Sequence, residues 1–222
     1  MNSFYPIAGI YATSEWILEN EHLIASKKFT LSEISISDLS RITALNTSSP
    51  VLAIVDIPED SLSHTALHET LTLVLDDIKD PGNLGTIIRV ADWFGISRVI
   101  CSENTVDLYN PKTVQATMGS IARVMVNYAD LVKMLRGLPA GLKIYGTFLE
   151  GENIYTHKLD QNGVIIIGNE SQGISQEVTH FVTNRLFIPG FYAPDNPAGS
   201  AESLNASVAT AIVCSEFRRR TF

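Results

Sequence analysis

Cysteine, long apolar runs and basic residues are all scarce in this sequence of 222 residues. The two cysteines, Cys101 and Cys214, lie far apart and outside any CxxC spacing, which favours two reduced core thiols over a disulfide or a metal-binding pair. No run of about 18 apolar residues exists that would span a membrane. The N-terminus lacks the basic and then apolar stretch of a secretory signal. We therefore expect a cytoplasmic protein with no membrane partner.

The five histidines are scattered, so the sequence does not predict a metal site. His64 and His68 stand four residues apart, but they lie in a polar stretch with no third ligand nearby. A metal-dependent enzyme is therefore not expected.

The formal net charge is −8, from 16 Lys and Arg against 24 Asp and Glu. Residues 1–70 contain three of the basic residues and nine of the acidic ones, so the acidity is concentrated there. A protein of this charge is not expected to bind polyanions over its whole surface. Contact with a nucleic acid must therefore come from a local patch.

The sequence divides into two parts near residues 58–70. The first part, residues 1–62, has strand-like patterns at 7–11 and 51–55 and helix-like patterns at 14–19 and 37–42. The polar stretch 58–64 is typical of a linker. Because the first part is small and begins almost directly with a strand, we interpret it as a piece of an α/β domain.

The second part, residues 69–222, alternates between apolar, β-branched runs and helix-length segments. The apolar runs lie at 71–75, 98–101, 143–148, 164–167 and 185–188, and the helices are expected at segments such as 84–94 and 130–135. This alternation predicts an α/β fold, in which a parallel sheet is covered by helices on both faces.

Three polar, glycine-containing segments follow predicted strands, at the sheet edge where open parallel sheets bind ligands. In the first, residues 76–85, Pro81 and Gly82 force a turn, and Asn83 is a candidate cap for the next helix. In that helix, Arg89 borders the apolar stripe. Taken alone, this segment is also explained as an ordinary capped helix whose Arg is solvated or paired.

The other two segments have ordinary structural explanations as well. In the second, residues 168–174, Glu170 follows four consecutive apolar residues, and a tight turn with a capping carboxylate would explain it. The third runs from Ile188 through a loop rich in proline and glycine to residues 203–209. There, Ser203 or Asn205 is a candidate cap for the last helix.

Taken together, the three segments resemble the three ordered motifs of the SpoU (TrmH-like) family of RNA 2′-O-ribose methyltransferases, within the SPOUT superfamily. The DPxNxGxxxRxA motif stands here as Asp80-Pro81-Gly82-Asn83-Leu84-Gly85 with Arg89-Val90-Ala91. The GxExxG motif stands as Gly168-Asn169-Glu170-Ser171-Gln172-Gly173. The IP…GxxxSLNxSxA motif stands as Ile188-Pro189, Gly199 and Ser203-Leu204-Asn205-Ala206-Ser207-Val208-Ala209. Order, spacing and placement match over about residues 70–218.

The resemblance implies a fold that the residue patterns alone would not suggest, a trefoil knot at the C-terminal side of the α/β domain. It implies a homodimer in which the helix after the first motif packs with the last helix. It also implies that residues 1–62 correspond to part of an L30e-like RNA-binding domain. Residues 191–197 are additional to the family pattern, and we expect them to lengthen a lid or to shape access of the substrate.

The resemblance further implies S-adenosylmethionine as the methyl donor and structured RNA as the substrate, with ribosomal RNA favoured over transfer RNA. No metal is needed, because a sulfonium methyl group is already activated and the nucleophile has only to be placed in line. The implied cofactor-binding residues are Gly168, Asn169, Glu170, Gly173, Ile188, Pro189, Ser203, Leu204 and Asn205.

The implied catalytic residues are Arg89, Asn83, Glu170, Ser203 and Asn205. The ribose 2′-hydroxyl must lose its proton as it attacks. An arginine side chain is a weak base at neutral pH, so we expect Arg89 to position the hydroxyl and to bind an RNA phosphate. The other four residues are expected to orient Arg89 and the ribose.

Two other functions remain open at this point. The acidic charge and the partial first part favour a non-catalytic RNA-binding or assembly protein with the same fold, although such a protein would not need the whole polar set. A knotted methyltransferase that modifies a base is the second alternative. A methyltransferase of the doubly wound nucleotide-binding kind is excluded, because no GxGxG-like turn follows residues 71–75.

Overall fold

The computed structural model describes residues 3–25, 29–43, 45, 47–58, 70–191 and 201–219. Its contacts divide the chain into two compact units, Met1–Asp60 and Ser61–Phe222. Most of the predicted linker at 58–64, His64 and His68, most of the added residues 191–197, and Gly199 lie outside the described residues.

Within its described residues, the first unit contains a small sheet and three short helices. In chain order its elements are β1 (Ile7–Ala12), α1 (Ser14–Glu19), α2 (Glu21–Ile24), β2 (Thr30–Glu33), α3 (Ile36–Ile42) and β3 (Val51–Val55). The sheet has the order β2-β1-β3, with β1 parallel to β2 and antiparallel to β3. The predicted strands and helices of this part are confirmed, and β2 and α2 are additional.

The second unit is built on a parallel six-stranded sheet of order β6-β5-β4-β8-β7-β9. Its elements are β4 (Leu71–Asp76), α4 (Pro81–Trp93), β5 (Arg98–Ser102), α5 (Pro111–Ala116), β6 (Met125–Ala129), α6 (Leu131–Arg136), β7 (Ile144–Asn153), β8 (Gly163–Gly168), α7 (Gln176–Thr179), β9 (Asn184–Phe187) and α8 (Ala206–Arg219), with a short 3-10 helix at Ser120–Ala122. The predicted α/β class and parallel sheet are confirmed.

The two faces of the sheet are covered by different helices. Leu73 and Leu75 of β4 belong to a core cluster that includes Ile88 of α4 and Phe217 of α8. Val74, which points to the opposite face, belongs to a second cluster with residues of α6 and α7. Each fully buried side chain of this kind stabilises the fold by about 1.5–3 kcal/mol. The prediction of helices on both faces is therefore confirmed.

Cys101 and Cys214 are free thiols inside the core, as predicted. Burial raises the pKa of Cys214 to about 12 and that of Cys101 further, so the reactive thiolate form is strongly disfavoured at both positions. No helix in the described part of the chain is long and apolar enough to cross a membrane.

Candidate active site

The sheet places the first two polar segments side by side. Strands β4 and β8 are parallel neighbours, and their register pairs Asp76 with Gly168 at the carboxyl ends. Strand β9, which leads into the third segment, is separated from β8 by β7. Contact between the third segment and the other two therefore depends on side chains of the loops and of α8.

The first segment starts α4 earlier than the sequence predicted. Asp80 caps this helix, because its Oδ1 accepts a hydrogen bond of 2.8 Å from the backbone N–H of Asn83. Pro81 takes the first helical position, where no N–H donor is needed. The prediction that Asn83 caps the helix is therefore wrong. Asn83 lies in the first turn, and its side chain bonds to the other two segments instead.

The second segment is a closed turn that carries Glu170 at its tip. The backbones of Asn169 and Gly173 exchange two hydrogen bonds of 3.0 and 2.8 Å. A Cβ atom on Gly168 would lie 2.2 Å from the carbonyl carbon of Gly173, so only glycine fits at residue 168. Gly173 has a φ of +71°, which side chains rarely allow. The two glycines of the motif therefore shape this turn.

The third segment begins α8. The Oδ1 of Asn205 accepts hydrogen bonds from the backbone N–H groups of Ser207 at 3.0 Å and Val208 at 3.3 Å. Asn205 is therefore the cap of α8, which was one of the two candidates. Its Nδ2 remains available and donates a hydrogen bond of 2.9 Å to the Oδ1 of Asn83.

A hydrogen-bond network thus joins all three segments. Asn83 accepts from Asn205 through Oδ1 and donates through Nδ2 to the carboxylate of Glu170. A side-chain amide donates only through nitrogen and accepts only through oxygen. A single orientation of the Asn83 side chain satisfies both neighbours, so the network fixes this side chain between Glu170 of the second segment and Asn205 at the start of α8.

Two of the predicted catalytic residues lie outside that network. Arg89 is exposed on α4, six residues after Asn83 and therefore about 9 Å further along the helix axis. It makes no hydrogen bond or ion pair with any residue that the structure describes. Ser203 is exposed in the chain before α8 and likewise has no hydrogen bond within the described part.

The remaining predicted cofactor residues differ in their surroundings. Ile188 and Pro189 are half-buried directly after β9, whereas Leu204 is 45% exposed. Asn169 is half-buried, and its side-chain amide is bonded to the protein on both sides, to the carbonyl oxygen of Asp77 and to two backbone N–H groups of its own loop.

Sequence reasoning missed two residues at the end of β4. Asp76 is 5% exposed and accepts a hydrogen bond of 2.8 Å from the backbone N–H of Ser175, which holds the start of α7. Asp77 has a φ of +62°. A carboxylate at the end of a buried strand could have indicated a role for Asp76. The sequence contains no feature that predicts the conformation of Asp77, because Asp occurs in both left- and right-handed regions of backbone conformation.

Within the described residues, no group of three or more His, Cys, Asp or Glu side chains is arranged to hold a metal ion. The three segments instead form their hydrogen bonds with side-chain amides, backbone groups and the separate carboxylates of Asp76, Asp80 and Glu170.

Comparison with protein families matches residues 70–215 to the SpoU rRNA Methylase family. The chain belongs to the SpoU rRNA methylase family. The match spans well over half of the chain and covers all three polar segments.

Individual RNA methyltransferases are similar over most of the chain. The 23S rRNA (guanosine(2553)-2′-O)-methyltransferase RlmP of Bacillus subtilis is 33% identical over 187 residues, which are 83% of this chain and 71% of that protein. A TrmH-family structure from Porphyromonas gingivalis is 37% identical with a TM-score of 0.84, covering 98% of this chain and 84% of that one. An AdoMet-bound rRNA methyltransferase from Sinorhizobium meliloti is 27% identical with a TM-score of 0.80, covering 99% and 82%.

Proposed function

We propose that this chain transfers the methyl group of S-adenosylmethionine to a ribose 2′-hydroxyl of ribosomal RNA. The observation that carries the proposal is the network of Asn83, Glu170 and Asn205, which joins the three motif segments of a SpoU family member. The relatives support the reaction and the substrate, since RlmP is named for 2′-O-methylation of 23S rRNA and the Sinorhizobium meliloti enzyme was solved with AdoMet bound. Transfer RNA is the second candidate substrate.

The residues of the second segment fit S-adenosylmethionine. The backbone N–H groups of residues 169, 171, 172 and 173 are all bonded inside the loop. Among the described residues, none donates to the carbonyl oxygens at the tip, residues 170–172, which leaves acceptors for the adenine amino group and the ribose hydroxyls. The carboxylates of Asp76, Asp80 and Glu170 add negative charge at the same strand ends, which complements a sulfonium cation.

When bound, this cofactor supplies an activated methyl group. Arg89 then has two tasks, to bind an RNA phosphate and to place the 2′-hydroxyl for in-line attack. Its exposure on α4 leaves the guanidinium accessible to RNA. Side chains on a helix lean towards its N-terminus, so Arg89 is expected to lean towards the end of α4 that contains Asn83. Ser203, Leu204, Ile188 and Pro189 complete the proposed pocket.

The larger architecture belongs to the same proposal. We expect a trefoil knot around the third segment and a homodimer in which α4 and α8 form the interface. We also expect residues 1–62 to act as part of an L30e-like RNA-binding domain and residues 69–222 as the methyltransferase domain. The protein would work in the cytoplasm, where its two buried thiols stay reduced.

The test compares the wild type with Arg89→Ala and a matched control. Arg136→Ala removes an exposed arginine from α6, which lies on the other face of the sheet. Each protein is incubated with methyl-labelled S-adenosylmethionine and unmodified ribosomal or transfer RNA, and the nucleosides are analysed by mass spectrometry. We expect ribose-labelled product from the wild type and the control, and a loss of about 100-fold or more in kcat for Arg89→Ala.

Other outcomes point to the alternatives. Label on a base would replace the ribose assignment with a base methyltransferase of the same fold. Absence of both labelling and S-adenosylhomocysteine binding would favour the non-catalytic RNA-binding protein. Undiminished transfer by Arg89→Ala would remove Arg89 from the mechanism.

A further inference from the structure

The side chain of Asn169 is held at both ends. Its Nδ2 donates a hydrogen bond of 2.9 Å to the carbonyl oxygen of Asp77, at the end of β4. Its Oδ1 accepts hydrogen bonds from the backbone N–H groups of Ser171 at 2.8 Å and Gln172 at 3.2 Å. These two N–H groups directly follow Glu170 in the chain. The Asn169 side chain therefore ties the tip that carries Glu170 to the neighbouring strand.

The carbonyl oxygen that receives this bond belongs to a residue in an unusual conformation. Asp77 has a φ of +62°, in the left-handed region that residues other than glycine seldom occupy. Its own N–H donates to Ser102 Oγ at 2.9 Å, at the end of β5. Its carboxylate lies 2.6 Å from Lys79 Nζ. A strained residue that is held from several sides is a reason to look for a functional role.

The Asp77–Asn169 bridge, meaning the hydrogen bond between the Asp77 carbonyl and the Asn169 amide, leads to the network of Asn83, Glu170 and Asn205. The N–H of Asp77 donates to Ser102, and the carbonyl oxygen of Asp77 accepts from Asn169, whose side chain holds the loop tip. At this tip, the carboxylate of Glu170 accepts the hydrogen bond from Asn83. Successive bonds therefore connect the ends of β5, β4 and β8 to the residue that receives Asn83.

We propose that Asn169, held by the Asp77 carbonyl, is a positioning residue for Glu170, and that its side chain does not itself contact the cofactor. The proposal rests on the methyl transfer proposed above. Without the bridge, the N–H groups of Ser171 and Gln172 lose their acceptor, and the tip is free to move Glu170 away from Asn83. The consequence is slower transfer from a cofactor that still binds.

Three variants separate the parts of the bridge. Asn169→Ala removes both the donor to the Asp77 carbonyl and the acceptor for Ser171 and Gln172. Asn169→Asp keeps an acceptor for Ser171 and Gln172 but places an oxygen against the carbonyl of Asp77. Asp77→Gly removes the carboxylate and its pairing with Lys79, yet keeps the left-handed backbone and the carbonyl, so it is the matched control.

The first measurement is hydrogen exchange at the backbone N–H groups of Ser171 and Gln172, followed by NMR, which does not depend on activity. We expect exchange at least about tenfold faster in Asn169→Ala and unchanged exchange in Asp77→Gly. Unchanged exchange in Asn169→Ala would overturn the bridge, even if the wild type methylates RNA. Absence of methylation by the wild type, with faster exchange in the variant, would instead count against the proposed function alone.

The second measurement is a double-mutant cycle with Glu170→Ala, read as steady-state transfer. If Asn169 acts through Glu170, Asn169→Ala lowers kcat by about tenfold in the wild-type background and adds almost nothing in Glu170→Ala, which has no acceptor for Asn83. The KM for RNA and the Kd for S-adenosylhomocysteine stay within about twofold. Losses that multiply in the double variant, together with a weaker Kd in both backgrounds, would show direct cofactor contact and overturn the proposal.

Discussion

Asn205 has two structural tasks, and a pair of substitutions separates them. Its Oδ1 caps α8 by accepting from Ser207 and Val208, and its Nδ2 donates to Asn83 in the network that joins the three segments. Asn205→Ala removes both contributions. Asn205→Asp keeps the acceptor at the helix start, where a negative charge is favourable, and loses only the donor to Asn83.

The expected magnitudes follow from these contacts. Loss of a helix cap costs about 1 kcal/mol, and loss of an exposed side-chain hydrogen bond about 0.5 kcal/mol. A domain of this size loses roughly 2–4 °C in Tm for each kcal/mol. Asn205→Ala should therefore melt about 3–6 °C below the wild type. Asn205→Asp should melt close to the wild type and still lose about tenfold or more in kcat.

Thermal unfolding followed by circular dichroism, together with RNA methylation, measures both effects. If Asn205→Asp melted as low as Asn205→Ala, the cap of α8 would not depend on an acceptor at residue 205. Wild-type activity in Asn205→Asp would contradict the prediction, because the bond to Asn83 would then have no part in transfer.

Two further predictions concern the packing around α4. A Cβ atom on Gly85 would lie 2.5 Å from both the Cβ of Ala116 and the carbonyl oxygen of Thr113 in α5. Gly85→Ala should therefore lower the free energy of unfolding, measured by urea titration, by about 1–3 kcal/mol. An unchanged free energy of unfolding would mean that α5 moves away from α4 at no cost. The hydrogen bonds from Arg123 hold the pKa of Asp92 below its usual value, against the effect of partial burial. The stabilisation from the Arg123–Asp92 pair is fully present above about pH 4 and is lost as the pH falls through the lowered pKa of Asp92. When the pH is lowered from about 5 to about 2, the Tm of the wild type should therefore decrease more than the Tm of Asp92→Asn. Equal decreases in the two proteins would contradict the pairing.

Part of the second unit was predictable because its two central strands are buried on both faces. The short, β-branched apolar runs at 71–75 and 164–167 became the adjacent strands β4 and β8, as is typical of the centre of a parallel sheet. Strand β6 was missed because Met125–Ala129 mixes polar and apolar residues at the edge of the sheet. Helix α5 was missed as well, although Asn110 and Pro111 form an ordinary helix start.

The residues that make up the candidate site were more predictable than the hydrogen bonds between them. The rule that ligands bind at the carboxyl ends of parallel strands brings the first two segments together. It does not indicate that Asp80 takes the cap of α4 and so leaves Asn83 to bond Glu170 and Asn205. Whether Asp80 or Asn83 caps α4 depends on the backbone geometry of the first helical turn. The residue types alone do not determine that geometry.

The bonds of Asn83 to Glu170 and to Asn205 span 87 and 122 residues of sequence. Contacts at such separation close long loops, and neither can form before the later of its two residues has been synthesised. The network therefore requires α8, whose first turn follows Asn205, to be in place. A chain still emerging from the ribosome lacks the completed site until that helix has been made. The protein would thus be inactive during its own synthesis, although it is made beside the kind of RNA that we propose it modifies.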